Sequence, residues 1–142
     1  MNATMQKFGH PATLVADYEH WAVLVRPAQV TLGSLVLAAK SDATAYGQLT
    51  PAAFAEQFHV IGAIERALKA FSDYERINYL MLMMVDPHVH FHVVPRYKST
   101  RLWAEIEFVD AGWPGPPRLD ATTAVEPETL QKMKDELAFN FR

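Results

Sequence analysis

Three histidines alternate with apolar residues in the run His88-Val89-His90-Phe91-His92-Val93-Val94-Pro95-Arg96. On an extended strand successive side chains point to opposite faces, so His88, His90 and His92 project together while Val89, Phe91 and Val93 face the other way. Residues two apart on one face lie about 7 Å apart along the strand. Three imidazoles in such a row can accept, donate and relay protons. A neutral imidazole is also a competent nucleophile near neutral pH, and it forms a labile P–N bond that water can then break. Neighbouring imidazoles can protonate the leaving group or stabilise charge on phosphoryl oxygens. This scheme obliges no metal or other cofactor. Zinc is the competing reading of His-x-His, because two such nitrogens can share one ion. The third imidazole, roughly 13 Å from the first, is too far to join them. A metal would therefore need a further ligand, from His10, His20, His59 or an acid.

Such side chains need a frame, and the remaining patterns supply one. Residues 21–26 (WAVLVR) and 35–39 (LVLAA) are short Val- and Leu-rich runs separated by Pro27 and Gly33, which predicts two antiparallel strands joined by a turn. Thr50-Pro51 is a helix start, with Thr as N-cap and Pro at the first position. Phe54, Phe58, Ile61, Ile64, Leu68 and Phe71 then recur at helical spacing over 51–71. Residues 78–85 (NYLMLMMV) are apolar on both faces, which predicts a strand in the middle of a sheet. Asp86-Pro87 punctuates it before a second strand over 88–94. Residues 98–100 read as a loop, and 103–109 (WAEIEFV) alternates like another strand. Residues 110–117 (DAGWPGPP) exclude regular structure. Pro127 opens a terminal helix with Leu130, Met133 and Leu137 as its apolar positions. The expected fold is α+β: a mostly antiparallel sheet of about five strands, one main helix packed on it, and a C-terminal helix.

At 142 residues, half of them apolar and 20% charged, the chain fits one globular domain spanning 1–142. A net charge of -3 offers no broad attraction for a nucleic acid polymer or an anionic membrane, so an anionic ligand must be held locally. With no cysteine there is no disulfide, thiolate metal site or thiol nucleophile, which suits a reducing cytosol. The first twenty residues carry no basic segment followed by an apolar run, and the longest apolar stretch, 79–85, is far too short to span a bilayer. These features predict a cytoplasmic protein.

The run HVHFHVVPR resembles the signature of the histidine triad family, and WAVLVRPAQVTLGSLVL resembles that family's strand–turn–strand element. The resemblance covers about residues 21–98; the extension over 99–142 adds little to it. It implies an antiparallel α+β fold that pairs as a homodimer, the central strands continuing across the two-fold axis. It further implies binding of nucleoside phosphates and cleavage at the α-phosphate through a nucleotidyl-histidine intermediate. By motif position His90 is then the nucleophile, and His92 lies near the α-phosphate and leaving group. His88 orients neighbouring groups, partly through its backbone carbonyl. Two departures stand out. Many members have a Gly-His pair where this chain has Gly33-Ser34, and Ser34 can hydrogen-bond but cannot hold a positive charge. Many also have a Gly/Gln/Ser-containing loop before the first histidine, where this chain has Met84-Val85-Asp86-Pro87.

The other candidates carry less specific signals. Arg26, Arg96 and Lys98 lie near the relevant strands and could contact phosphate, although each alone is the kind of cation that merely solvates a surface. Asn78 could bond a ribose or simply end a strand. Trp113 could edge a pocket, meet a second subunit or pack in its own loop, and His59 falls at the polar margin of the helix. The function expected is hydrolysis or transfer on a nucleoside 5′-phosphate derivative. Diadenosine tetraphosphate and nucleotide phosphoramidates represent the two substrate classes. The alternatives are a nucleotide-binding regulatory protein with negligible turnover and a histidine-ligated metal-dependent hydrolase.

Overall fold

Strands β2 (Trp21–Val25) and β4 (Leu35–Ala39) are buried at every position, and they pair antiparallel with Trp21 opposite Ala39 and Val25 opposite Leu35. Burial on both faces requires cover on both sides of the sheet. In the computed structural model, which describes residues 2–142, that cover comes from three helices: α1 (Ala3–Lys7), α2 (Pro51–Ser72) and α3 (Pro127–Asn140). With β1 (Leu14–Asp17), β5 (Arg76–Leu80) and β6 (His90–Arg96) the sheet has five antiparallel strands in the order β1-β2-β4-β6-β5. Two small ribbons flank it. The first pairs β3 (Ala28–Gln29) with β9 (Thr123–Ala124), and the second pairs β7 (Arg101–Trp103) with β8 (Ile106–Phe108). The α+β architecture expected from the sequence, with its mostly antiparallel five-stranded sheet, is the one observed.

The period of two divides β2 and β4 cleanly. Trp21, Val23, Val25, Leu35, Leu37 and Ala39 join one core with Ile64 and Leu68 of α2 and Met133 and Leu137 of α3. Ala22, Leu24, Val36 and Ala38 form a second, thinner core with Met5 of α1. Both long helices thus cover one face, and only a single short helix covers the other. On the face beneath α1 the sheet can therefore hold a cavity.

Helix α2 starts as its sequence directs, with Thr50 Oγ1 accepting from the Ala53 N–H at 3.2 Å and Pro51 in the first turn; it ends at Asp73 in a left-handed conformation. Its buried residues are Ala53, Gln57, Val60, Ile64, Ala67, Leu68 and Ser72. Phe54 and Phe58 lie one position further round, about 100° away, and Phe58 is 75% exposed. The apolar stripe of the sequence is therefore wider than the face that packs.

Three strand expectations need correction. Residues 78–85 do not form a central strand. β5 is the edge strand, its pairing stops at Leu80 opposite His92, and the chain leaves the sheet through Met83 at φ 52°. The second strand begins at His90 rather than His88, because Pro87 has no N–H to donate and residues 81–89 run as a loop. Residues 103–109 are not one strand but half of a tight hairpin, turned at Ala104 and Glu105, both at positive φ. Helix α1 and strand β1 are additions that the sequence patterns did not indicate.

Gly33 holds the turn into β4 at φ 86°, and an added Cβ would lie 3.1 Å from Leu68 Cδ2. A left-handed backbone and a crowded side both oppose substitution there. Gly33→Ala is expected to cost about 1–2 kcal/mol, read as a lowered urea midpoint with unchanged slope.

Candidate active site

The cavity on the α1 face is built from the first residues of β6. Their cross-strand partners on β4 are small: Ala38 lies opposite His90 and Val36 opposite His92. That leaves room above the sheet for two imidazoles, whose rings meet edge to face at 5.1 Å. Phe8, just beyond α1, packs against both, with centroids 5.6 Å from His90 and 5.8 Å from His92. His90 and His92 are buried, at 2% and 9% exposure, yet both line an open cavity of about 480 Å³. Arg26, Lys7, Phe8, Leu119 and the loop residues from Leu82 to Asp86 complete its wall.

His88 stands outside the strand, and its contribution is made through the backbone. The His90 ring meets the His88 carbonyl through Nδ1 at 2.8 Å. A carbonyl only accepts, so Nδ1 carries the proton and Nε2 of the neutral ring keeps its lone pair. The His88 ring is itself held by Thr4, with 2.9 Å between Oγ1 and Nδ1. Helix α1 is anchored in turn: the Asn2 side chain accepts from the Met5 N–H and donates to the Ala39 and Ser41 carbonyls. Lys7 pairs with Asp86 at 3.0 Å. The N-terminal segment is therefore a strap across the histidine loop.

Arg26 follows β2 and its N–H donates to the Ser34 carbonyl at 3.0 Å. Its guanidinium reaches the cavity with Nη1 buried and without a hydrogen-bond partner, and burial lowers its pKa. A buried guanidinium nitrogen without a partner is costly and is best satisfied by an anion. His92 Nδ1 is likewise buried and unpartnered. Burial first, then the charge of Arg26 and the neighbouring His90, push the His92 pKa down to about 4, with Asp86 opposing. His92 is thus neutral at pH 7.

That depression has a consequence for stability. The unfolded chain takes up the His92 proton near pH 6.5, whereas the folded chain resists it until about pH 4. Its contribution is unaffected above pH 6.5 and turns unfavourable as pH falls through the window from 6.5 to 4. The loss should reach at most ~3 kcal/mol, and His92→Asn should flatten that part of a stability–pH profile measured by denaturant unfolding.

The other residues singled out in the sequence lie elsewhere. Ser34 is fully buried and its hydroxyl is spent in its own turn, accepting from the Thr31 N–H at 3.0 Å and donating to the Thr31 carbonyl at 2.8 Å. Arg96 sits about 20 Å along β6 from His90, estimated from the rise per residue. It makes a bidentate pair with Asp110 at 2.7 and 3.0 Å, and it also donates to Asn78 Oδ1 and the Gly115 carbonyl. Arg96 and Asn78 thus brace the 110–117 loop, and Trp113 lines the groove beside them. Lys98 and His59 are exposed, away from the cavity. Among the described residues no three His, Cys, Asp or Glu side chains are grouped to hold a metal. The wall residues that sequence reasoning missed are Lys7, Phe8, Asp86 and Leu119, with Thr4 behind them. The available signal was the Asn2 cap before a five-residue helix, too short to show periodicity.

No family model matches the chain, and no curated protein sequence does either. Solved structures do match. A histidine triad protein of Bradyrhizobium japonicum superposes with a TM-score of 0.78 at 19% identity, over 100% of this chain and 97% of that one. A histidine triad protein of Sinorhizobium meliloti gives 0.77 at 18%, over 99% and 95%. A hypothetical histidine triad nucleotide-binding protein of Sulfolobus tokodaii gives 0.68 at 17%, over 91% and 83%. The chain has the fold of these histidine triad proteins, with His90 and His92 of its alternating histidines at the cavity.

Proposed function

We propose that the chain is a nucleotide hydrolase or nucleotidyl transferase that cleaves at the α-phosphate of a nucleoside 5′-phosphate derivative, with His90 as nucleophile. The observation that carries this reading is the His90 Nδ1–H donated to the His88 carbonyl, in a cavity that also holds the Arg26 guanidinium with its Nη1 buried and unpartnered. Nε2 of His90 attacks the α-phosphorus; a P–N bond forms as the bond to the leaving group breaks, and the electron pair departs with that group. Water then attacks the same phosphorus, restores the imidazole and releases a nucleoside monophosphate and a proton. Arg26 balances charge on the phosphoryl oxygens in both steps. His92, neutral at pH 7, donates a hydrogen bond toward the leaving atom rather than a spare proton.

Diadenosine tetraphosphate and adenosine 5′-phosphoramidate represent the two substrate classes. The resemblance of the motif supports a homodimer acting as one unit over 1–142, and a cytoplasmic setting agrees with the absence of cysteine. No helix among the described residues is long and apolar enough to cross a membrane. A second reading, nucleotide binding with negligible turnover, is favoured by Ser34 standing where an imidazole is common in the family.

The test is release of AMP from both compounds by the purified chain in the presence of a chelator. Chelator-resistant release supports the proposal. Binding of AMP without release from either compound selects the regulatory reading, and activity abolished by the chelator selects metal-dependent hydrolysis.

A further inference from the structure

Thr4 of α1 is 2% exposed, and its hydroxyl lies 2.9 Å from Nδ1 of His88, 84 residues away in the chain. Among the described residues that hydroxyl has no other hydrogen-bond partner. If it accepted from an Nδ1–H, its own hydrogen would be buried with nothing to receive it, which is costly. The hydroxyl therefore donates. In the neutral His88 ring Nδ1 accepts and the proton sits on Nε2, the opposite tautomer to that of His90.

His88 does not line the cavity of His90 and His92; what it supplies there is its carbonyl, 2.8 Å from His90 Nδ1. That carbonyl must be held, because it decides which nitrogen of His90 offers a lone pair to the cavity. On its downstream side the sheet holds it. The Val89 N–H donates to the Ala43 carbonyl at 3.1 Å, and the Val89 carbonyl accepts from the Ala39 N–H at 3.0 Å. The upstream side is looser: Pro87 has no N–H, Met84 and Val85 are exposed, and so is the Lys7 end of the pair with Asp86. Thr4 is the buried anchor on that side. Helix α1 ties it back to the sheet, since the Asn2 amide donates to the Ala39 and Ser41 carbonyls at 3.0 Å each. Ala39 thus bonds Val89 through its N–H and Asn2 through its carbonyl, and the circuit around His88 closes.

We propose that Thr4 is a positioning residue for the nucleophile: by donating to His88 Nδ1 it fixes the His88 carbonyl, and through it the Nδ1–H tautomer and the aim of His90. The inference rests on nucleotidyl transfer to His90. Thr4 touches no substrate, so its loss slows the chemical step and spares binding.

The experiment records two-bond ¹H–¹⁵N spectra of the imidazoles at pH 8 for the full wild-type chain, Thr4→Val and Thr4→Ser. Melting temperatures are measured alongside, with kcat and KM for AMP release from diadenosine tetraphosphate and adenosine 5′-phosphoramidate. The wild type should show His88 protonated on Nε2 and His90 on Nδ1. Thr4→Val, close in shape but without the hydroxyl, should leave both rings as tautomer mixtures. Its kcat should fall about 10–100-fold with KM within about twofold. Thr4→Ser should restore the spectra and bring kcat within about threefold of wild type. A role in stability alone would lower the melting temperature of the valine variant and leave its His90 tautomer and kcat in place. That result, failure of serine to restore the rate, or a wild-type His88 protonated on Nδ1 would overturn the inference while leaving the His90 reading intact. Release of AMP by the wild type from neither compound overturns both.

Discussion

Replacing His90 with alanine should lower turnover by at least about 10⁴-fold while leaving the fold and nucleotide binding nearly intact. Removing the nucleophile removes both chemical steps, and such losses in covalent catalysis are far larger than those from a single hydrogen bond. The fold should tolerate the change because His90 faces a cavity rather than the main core. Its ring packs on Phe8 and His92, and Nδ1 is anchored on the loop carbonyl of His88. His90→Gln keeps the side-chain length and controls for any collapse of that loop. Melting temperature and AMP titration should stay close to wild type for both variants, with kcat lost in both. Full activity in either would remove His90 from the mechanism.

Arg26→Ala should reduce kcat/KM by about 10²–10³-fold, the range found when a preorganised charge-stabilising donor is deleted. The expectation comes from geometry: Arg26 is half-buried, its Nη1 is buried without a partner, and it lies close enough to His92 to depress that imidazole's pKa. Arg26→Lys keeps a charge but loses the planar fork, so it should recover only part of the rate. The same substitution to alanine carries a second, independent signature. Removing a neighbouring positive charge favours the imidazolium, so the His92 pKa should rise from about 4 toward its ordinary value. A histidine ring titration followed by NMR would register the change even in an inactive protein. An Arg26→Ala variant within twofold of wild type, with His92 still titrating near 4, would place the guanidinium away from the phosphate.

How much was legible beforehand follows from which interactions are local. The continuous Val- and Leu-rich runs at 21–26 and 35–39 identified two core strands, because each buries both faces and every position must be apolar, and the alternation of histidine with apolar residues over 88–94 identified the third. The Thr50-Pro51 start of α2 and the Pro127 start of α3 were also readable, being set by neighbours in sequence. Position within the sheet was not: residues 78–85 look like a central strand, yet Leu82, Met84 and Val85 are exposed. Their apolar character belongs to the cavity rim, which hydrophobicity alone does not separate from a core. Arg26 was one cation among several until β2 and β4 paired and aimed it at His92. Ser34, Asn78 and Arg96 were plausible by type and proximity, but their polar atoms are consumed by Thr31, Asp110 and one another. Only long-range contacts reveal that. The strap of Asn2, Thr4, Lys7 and Phe8 was hidden for the same reason, since its partners lie some 40 to 80 residues away in the chain for the bonds of Asn2, Thr4 and Lys7.

The central claim is a covalent bond between nucleotide and His90, and it is tested most directly by trapping that bond. Wild-type protein and His90→Ala would be mixed with excess substrate and quenched within milliseconds in denaturing alkali, where a P–N bond to imidazole survives better than in acid. The intact protein and its peptides would then be weighed. The account predicts one nucleotidyl group on the wild type, mapped to His90 and lost on brief acid treatment, and none on the variant. Steady release of AMP by the wild type with no adduct at any quench time, or an adduct mapped to another residue, would contradict it.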